Sequence, residues 1–272
     1  MSEPGLDQRA HREPVLDVDQ VSVHFGGVKA VHELSLALAD GELVGLVGPN
    51  GSGKSTLLGA ISRLTAINAG QLSIVGQRYD HESPAAAARL GIARTFQTVR
   101  LLPRLSVLDN VMLGSNQAFR LEDGTRWLAR LTSIRSRERM LEQSARDALD
   151  RVGLGYLARA RPGGLPYGLQ RKVEIARALA SDPKLLLLDE PTAGMSRTER
   201  DEIGALISQL SREGLAEILV EHDVTMMVNA CPRLVVMSQG QIIADGDARS
   251  VVRLPSVQEA YLGGDYRAPA QS

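Results

Sequence analysis

The chain has 272 residues, of which 43% are hydrophobic and 23% are charged, a composition typical of a folded globular protein and unlike that of a disordered one. Its 31 Lys and Arg residues balance 32 Asp and Glu residues, and aromatic residues make up only 3%, which argues against the basic or aromatic surfaces that bind nucleic acids. The single cysteine, Cys231, excludes an internal disulfide bond and fits a reducing compartment.

The chain shows neither a signal-peptide pattern at its start nor an apolar run long enough to predict a membrane span. Residues 1–14 are polar and have no apolar signal-peptide core, and residues 263–272 are polar as well. The longest apolar runs, such as residues 185–188, are far shorter than the roughly 18–20 residues that a membrane-spanning helix needs. We therefore expect flexible ends around one ordered domain, residues 15–262, in a soluble cytoplasmic protein.

Short apolar runs alternate with helical patterns along most of the chain. The predicted strands cover residues 15–23, 42–47, 71–75, 91–95, 184–188, 217–221 and 234–237. A helix is predicted directly after the second strand, over residues 54–64, with leucines and an isoleucine at helical spacing. Such alternation is the pattern of an α/β layered domain with a mainly parallel sheet.

The segment of residues 99–181 differs from its surroundings because it has helix signals and no strand signal. Ser106 and Asp109 resemble a helix-capping box at the start of an apolar periodic segment. Residues 133–151 predict a highly charged amphipathic helix, and residues 168–180 predict another. The sequence therefore predicts a helical block inserted into the α/β core.

A glycine-rich loop lies between the strand at residues 42–47 and the helix that follows it. Its glycines let backbone N–H groups approach an anion, and the helix aims the positive end of its dipole at the same place. Lys54 adds a charge for the outer phosphates, and the Ser55 hydroxyl suits Mg²⁺. The pattern predicts a nucleoside triphosphate site but leaves open a GTPase, a kinase or an ATPase. The predicted nucleotide-binding residues are Gly48, Pro49, Asn50, Gly51, Ser52, Gly53, Lys54, Ser55 and Thr56.

Two carboxylates, Asp189 and Glu190, follow the apolar strand at residues 184–188. In open α/β sheets, ligands bind at the edge formed by such strand ends. Asp189 would hold Mg²⁺, and Glu190 would orient the attacking water or take its proton. The alternative is a pair of solvated acids before a turn at Pro191.

Residues 165–177, LPYGLQRKVEIAR, precede that strand and resemble the signature segment of the ATP-binding cassette (ABC) ATPases. The resemblance covers residues 15–262. It implies an α/β fold with a P-loop NTPase (RecA-like) core, a mainly parallel sheet, a small antiparallel β subdomain and an inserted α-helical subdomain at about residues 99–181. It also implies ATP and Mg²⁺ as ligands and hydrolysis of ATP to ADP and phosphate.

The resemblance assigns further residues. Gln97 is similar to the glutamine that senses Mg²⁺ and the γ-phosphate, and His222 to the histidine that contacts the γ-phosphate. Phe25 is similar to the aromatic residue on which adenine stacks. The implied catalytic residues are Glu190, His222 and Gln97. The implied metal-binding residues are Ser55, Gln97 and Asp189.

The details resemble importer ATPases for branched-chain amino acids most closely. The similar features are residues 94–101, the Tyr-Gly form of the signature, Glu174 and residues 261–263. This likeness implies membrane permease subunits, a second ABC ATPase subunit and, indirectly, a solute-binding protein as partners, at the cytoplasmic face of the membrane and without nucleic acid. Two alternative functions remain, as the ATPase subunit of an importer of urea or amides or as that of an exporter. A soluble DNA-maintenance ATPase is disfavoured, because residues 98–164 lack sustained heptads and a Cys-x-x-Cys pair.

The signature departs from the family's usual Leu-Ser-Gly-Gly-Gln. Pro166 removes a hydroxyl and a backbone N–H that would face the partner's γ-phosphate. Each such charge-assisted hydrogen bond is worth roughly 1.5–3 kcal/mol, so the shared site would weaken about tenfold or more. Ser196 replaces the usual aspartate of the D-loop, and both changes favour a heterodimer with unequal sites. The signature residues expected to face the partner's nucleotide are Leu165, Pro166, Tyr167, Gly168, Leu169 and Gln170.

Residues 120–146 contain seven arginines interleaved with four acidic residues, and Asp147 follows directly. One interpretation is a solvated helical face with internal ion pairs. The other is a contact with anionic lipid headgroups or with cytoplasmic loops of the permease.

Overall fold

The computed structural model describes residues 14–118 and 130–262, which form two β-sheets and surrounding helices. The described strands are β1 (Leu16–Phe25), β2 (Val28–Leu38), β3 (Leu43–Val47), β4 (Ala69–Ile74), β5 (Gln77–Arg78), β6 (Ile92–Arg94), β7 (Leu185–Asp189), β8 (Ala216–Val220), β9 (Arg233–Ser238) and β10 (Gln241–Asp247). The described α-helices are α1 (Lys54–Ile61), α2 (Pro84–Arg89), α3 (Val107–Ala118), α4 (Arg130–Arg151), α5 (Tyr167–Leu179), α6 (Arg197–Arg212), α7 (Val224–Ala230), α8 (Ala248–Val251) and α9 (Pro255–Leu262). Short 3₁₀ turns occur at Gly155–Leu157 and Pro162–Gly164.

The larger sheet has the strand order β10-β9-β3-β8-β7-β6. The pairs β9–β3, β3–β8, β8–β7 and β7–β6 are all parallel, and only β10 pairs antiparallel at the edge. Every residue of β3, β7 and β8 is buried, as expected for parallel strands covered on both faces. The predicted mainly parallel α/β sheet is confirmed. The carboxyl ends of β3, β8, β7 and β6 consequently meet at one edge.

The smaller sheet is antiparallel, with the order β2-β1-β4-β5, and confirms the small antiparallel β subdomain. Strand β2 was not predicted from the sequence. Its apolar alternation is broken at Glu33, which has φ +46° and donates its backbone N–H to Ser22 Oγ at 2.9 Å. This irregularity shifts the register with β1, so the strand lacks a clean two-residue period.

Helices α3, α4 and α5 occupy the segment predicted to be helical. They share one core, to which Val111, Leu149 and Val173 contribute. The capping box at the start of α3 is present, since Ser106 Oγ donates to Asp109 Oδ2 at 2.6 Å and accepts from the Asp109 N–H at 3.0 Å. Helix α4 begins at Arg130, three residues before the predicted start. No helix of the described residues combines the length and hydrophobicity of a membrane span.

Some predictions concern residues that lie outside the described ranges. These are the two chain ends, most of the first fourteen residues and all of the last ten, and a large part of the arginine-rich segment. Within the described part of that segment, Arg146 pairs with Glu142 one turn earlier at 2.6 Å. This contact is an internal ion pair on α4.

Candidate active site

The glycine-rich loop between β3 and α1 packs directly against the backbone of other strands. A Cβ at Gly48, where φ is +152°, would lie 2.1 Å from the Met237 carbonyl oxygen. A Cβ at Gly53, where φ is +104°, would lie 2.2 Å from the Ala30 carbonyl oxygen. Only glycine fits both positions, and Gly53 is also the N-cap of α1. The loop is therefore held in a narrow cradle at the start of the helix.

Lys54 is the first residue of α1 and is nearly buried. Its ammonium group donates to the Gly48 carbonyl at 2.7 Å, to the Pro49 carbonyl at 2.9 Å and to Ser52 Oγ at 3.3 Å. Burial lowers the pKa of Lys54, while the charges of Glu190 and Asp189 oppose that shift. Because these three oxygens carry no charge, they do not neutralise the Lys54 ammonium. Its positive charge can therefore attract an anion to the loop.

A cavity of about 180 Å³ opens over this loop. It is lined by Ala30, Asn50, Gly51, Ser52, Gly53, Lys54, Ser55, Thr56, Glu190 and His222. The cavity therefore joins most of the predicted phosphate loop to two residues that lie more than 130 positions later in the chain.

Asp189 is the last residue of β7 and is largely buried. Its Oδ2 accepts a hydrogen bond of 2.8 Å from Arg94 Nη2, at the end of the neighbouring strand β6. The Arg94 guanidinium also reaches Ser62 Oγ at 3.3 Å. This ion pair joins residues 95 positions apart, and no local pattern in the sequence predicts it.

Glu190 adopts a left-handed backbone conformation, with φ +47°. Such a conformation costs a non-glycine residue about 1–3 kcal/mol and persists only where the surrounding structure enforces it. Here the Glu190 N–H donates to the Val220 carbonyl at 2.9 Å, and the Glu190 carbonyl accepts from the Ala193 N–H at 3.2 Å. At this strained turn the chain leaves β7, and Glu190 forms part of the cavity wall.

The Glu190 carboxylate is held from two sides. Gln97 Nε2 donates to Oε2 at 2.7 Å, and His222 Nε2 lies 2.7 Å from Oε1. An ionised carboxylate only accepts hydrogen bonds, so the histidine donates through Nε2. Gln97, Glu190 and His222 follow β6, β7 and β8, which are adjacent in the sheet. The parallel topology thus brings together three residues that the sequence analysis placed in one site.

Glu221 supports this edge and was not identified from the sequence. It is nearly buried, and its Oε1 accepts from both the N–H and the hydroxyl of Thr192, each at 2.7 Å. Burial raises the pKa of Glu221, against the effect of these hydrogen bonds. The contact ties the turn after Glu190 to the residue before His222. In the sequence, the position of Glu221 next to His222 was the only local indication that it belongs to the site.

The remaining predicted residues lie outside the cavity. Phe25, at the end of β1, is 55% exposed and is not among the lining residues. The signature residues surround the start of α5, where Pro166 is the N-cap and supplies no side-chain capping bond. Ser196 has a local structural contact, since it forms a capping box with Glu199 at the start of α6. The assigned roles of Phe25 and of the signature stay predictions.

The residues present fit a magnesium-bound triphosphate. Ser55 is exposed at the cavity, Asp189 ends β7, and Gln97 follows the neighbouring strand β6, so hydroxyl, carboxylate and amide oxygens are available as the ligands that Mg²⁺ prefers. The backbone of the glycine cradle and the Lys54 ammonium would supply the groups that bind phosphate oxygens.

The sequence profile described as "ABC transporter" matches residues 31–193. The branched-chain amino acid transport ATP-binding protein BraF of Pseudomonas aeruginosa is 33% identical over 254 residues, 92% of this chain and 98% of BraF. The glutamine transport ATP-binding protein GlnQ of Escherichia coli is 34% identical, over 90% of this chain and 96% of GlnQ. Among solved structures, an ATP-binding cassette of an ABC transporter in its ADP conformation superposes with a TM-score of 0.80, at 29% identity, over 93% of this chain and all of that one.

Proposed function

The chain belongs to the ABC transporter family, and on that premise we propose that it is the ATP-hydrolysing subunit of an importer for branched-chain amino acids. The observation that carries the ATPase assignment is the Glu190 carboxylate, held by Gln97 and His222 beside the cavity that contains Lys54. The observation that supports the substrate is the match to BraF over nearly its whole length.

In this proposal the residues of the site bind the phosphates, activate the attacking water and hold the metal ion. Lys54 binds the outer phosphates, and the N–H groups of its loop surround them. Glu190 accepts a proton from the attacking water, while Gln97 and His222 keep its carboxylate in one orientation. Bound Mg²⁺, held by Ser55, Asp189 and Gln97, would neutralise charge on the phosphates.

A groove beside the site supports the proposal of a permease partner. It has a volume of about 260 Å³, lies between β6, α3 and α5, and includes Phe96, next to Gln97 in the chain. Phe96 and Leu113 line it and are 36% and 41% exposed. We place the cytoplasmic side of the permease here, with a second ATPase subunit across the nucleotide site and a solute-binding protein as an indirect partner. The chain would then lie at the cytoplasmic face of the membrane.

Transport itself tests the substrate. A strain that lacks this chain should lose uptake of radiolabelled leucine, isoleucine and valine, and the wild-type chain should restore it. The Glu190→Gln variant should not, because it removes the proposed base. Glutamine and urea serve as comparison solutes in the same strain. Uptake that is lost for glutamine or urea but kept for the branched-chain amino acids would contradict the proposal, and the GlnQ match makes glutamine the alternative to examine first.

The signature predicts unequal sites in the assembled pair. Pro166→Ser would restore a hydroxyl and a backbone N–H at the N-cap of α5. Since each charge-assisted hydrogen bond is worth about 1.5–3 kcal/mol, we expect ATP to bind about tenfold more tightly at the site shared with the partner subunit.

The matched control is Pro84→Ser, at the exposed start of α2, far from any signature residue in the sequence. Nucleotide titration of the assembled transporter measures the change. Equal affinities in both variants would show that Pro166 does not weaken the shared site.

A further inference from the structure

The guanidinium of Arg171 is completely buried in α5. A buried charge is costly unless it is paired and its hydrogen bonds are satisfied, so its partners indicate why it is there. Nη1 donates to the Phe96 carbonyl at 2.6 Å, and Nη2 donates to the Gln97 carbonyl at 2.5 Å. Nη1 also reaches Glu174 Oε2 at 2.7 Å, and Nη2 reaches Tyr167 Oη at 3.1 Å.

Two further side chains of α5 bind the same segment. Glu174 Oε1 accepts from the Arg100 N–H at 3.2 Å and from Arg177 Nη2 at 3.1 Å. Arg177 Nη1 donates to the Arg100 carbonyl at 2.6 Å. Burial raises the pKa of Glu174, and the neighbouring Arg171 charge opposes this shift. Side chains of one helix therefore bind both ends of residues 96–100.

Residues 96–100 have no other backbone support in the described part of the chain. They follow β6, belong to no helix or strand, and their backbone hydrogen bonds all go to side chains of α5. The last bond to the sheet is from the Thr95 N–H to the Leu187 carbonyl, at 2.9 Å. Beyond the end of β6, the backbone that carries Gln97 is consequently bonded to side chains of α5 rather than to the sheet.

Gln97 connects this segment to the reacting groups. Its carbonyl is bound by Arg171, and its side-chain amide is bound to Glu190 at 2.7 Å. We propose that Arg171 is a positioning residue for ATP hydrolysis, which fixes the backbone of residues 96–100 so that the Gln97 amide holds Glu190. The inference rests on the proposed ATPase function and adds a residue that does not touch the nucleotide cavity.

Arg171→Lys is the informative substitution. Lysine keeps a charge opposite Glu174, but an ammonium lacks the planar fork that bonds two carbonyls and a carboxylate together. Lys172→Gln is the matched control, because Lys172 is the next residue of the same helix and its ammonium bonds instead to Glu202 of α6, at 2.7 Å.

Hydrogen exchange of the full-length chain without nucleotide measures the positioning directly. In Arg171→Lys we expect amides of residues 96–100 to exchange about tenfold or more faster, with exchange in the central sheet unchanged. Tyr167→Phe, which removes one of the contacts and keeps the ring, should loosen the same peptide to a smaller extent and covers the case that Arg171→Lys does not fold. Unchanged exchange in the folded variants would overturn the inference.

Kinetics measure the consequence for catalysis. We expect Arg171→Lys to lower kcat about tenfold or more with little change in the KM for ATP. The double variant Arg171→Lys with Gln97→Ala should be no slower than Gln97→Ala alone, since both act through one amide. Effects that multiply, or an unchanged kcat, would contradict the inference. A wild-type chain that hydrolyses no ATP, even in its assembled transporter, would instead contradict the proposed function, while the exchange experiment would still decide the role of Arg171.

Discussion

Replacing Glu190 by glutamine should lower the kcat of ATP hydrolysis by a factor of about 10² to 10⁴, the contribution typical of a general base. Glutamine has nearly the same shape but does not take a proton from water. Its NH₂ group would also face one of the two donors, Gln97 or His222, that the carboxylate now accepts from. ATP binding should change little, because Lys54 and its loop remain.

The matched control is Glu202→Gln, an exposed glutamate on α6 that pairs with Lys172. Steady-state hydrolysis and nucleotide affinity should both stay at the wild-type level in this control. If Glu190→Gln retained most of its turnover in the assembled transporter, the competent hydrolytic residues would lie in another subunit.

The second large effect concerns stability and depends on Glu217, the second residue of β8. Its side chain is completely buried, and in the described part of the chain neither carboxyl oxygen has a hydrogen-bond partner. Burial raises the pKa of Glu217 to about 9, with the Arg151 charge opposing the shift and the Glu213 charge adding to it. The folded protein therefore holds a neutral carboxyl group there at neutral pH.

The pH dependence follows from this shift. In the unfolded chain Glu217 ionises near pH 4.5, so between pH 4.5 and about 9 the unfolded state releases a proton that the folded state keeps. The free energy of unfolding consequently falls by about 1.4 kcal/mol per pH unit from this group, which amounts to about 4 kcal/mol at pH 7.5. No such penalty exists below pH 4.5, where the carboxyl is neutral in both states.

Glu217→Met should remove this penalty, because methionine has a similar length and no ionisable group. We expect its free energy of unfolding to exceed that of the wild type by up to about 4 kcal/mol at pH 7.5, and by much less at pH 4.5. Urea unfolding of both proteins at several pH values measures the difference, in which the contributions of other buried carboxyls, such as Glu174 and Glu221, cancel. A difference independent of pH would show that Glu217 is ionised in the folded state or paired in the unfolded one.

The elements that the sequence predicted are those with a strong local pattern. The apolar runs of β3, β7 and β8 are buried on both faces, and the glycines of residues 48–53 fit only a tight loop, so short stretches of sequence identified both. The resemblance to the ABC ATPases then implied that Gln97, Asp189, Glu190 and His222 belong to one site.

The contacts within the site could not be predicted from the sequence, because they join residues that are far apart in the chain and follow no local periodic pattern. Gln97 and Glu190 are 93 positions apart, and Arg171 bonds to carbonyls 74 and 75 positions away. The left-handed conformation of Glu190 is likewise imposed by a hydrogen bond to another strand. Edge strand β10 was missed because it is only partly buried and carries few large apolar side chains.

The most direct measurement is an experimental structure of the Glu190→Gln variant with ATP and Mg²⁺. We expect to find the phosphates in the glycine cradle, with Lys54 Nζ and His222 Nε2 both within hydrogen-bond distance of the γ-phosphate. A nucleotide bound elsewhere, with the Lys54 ammonium still bonded only to Gly48, Pro49 and Ser52, would contradict this expectation.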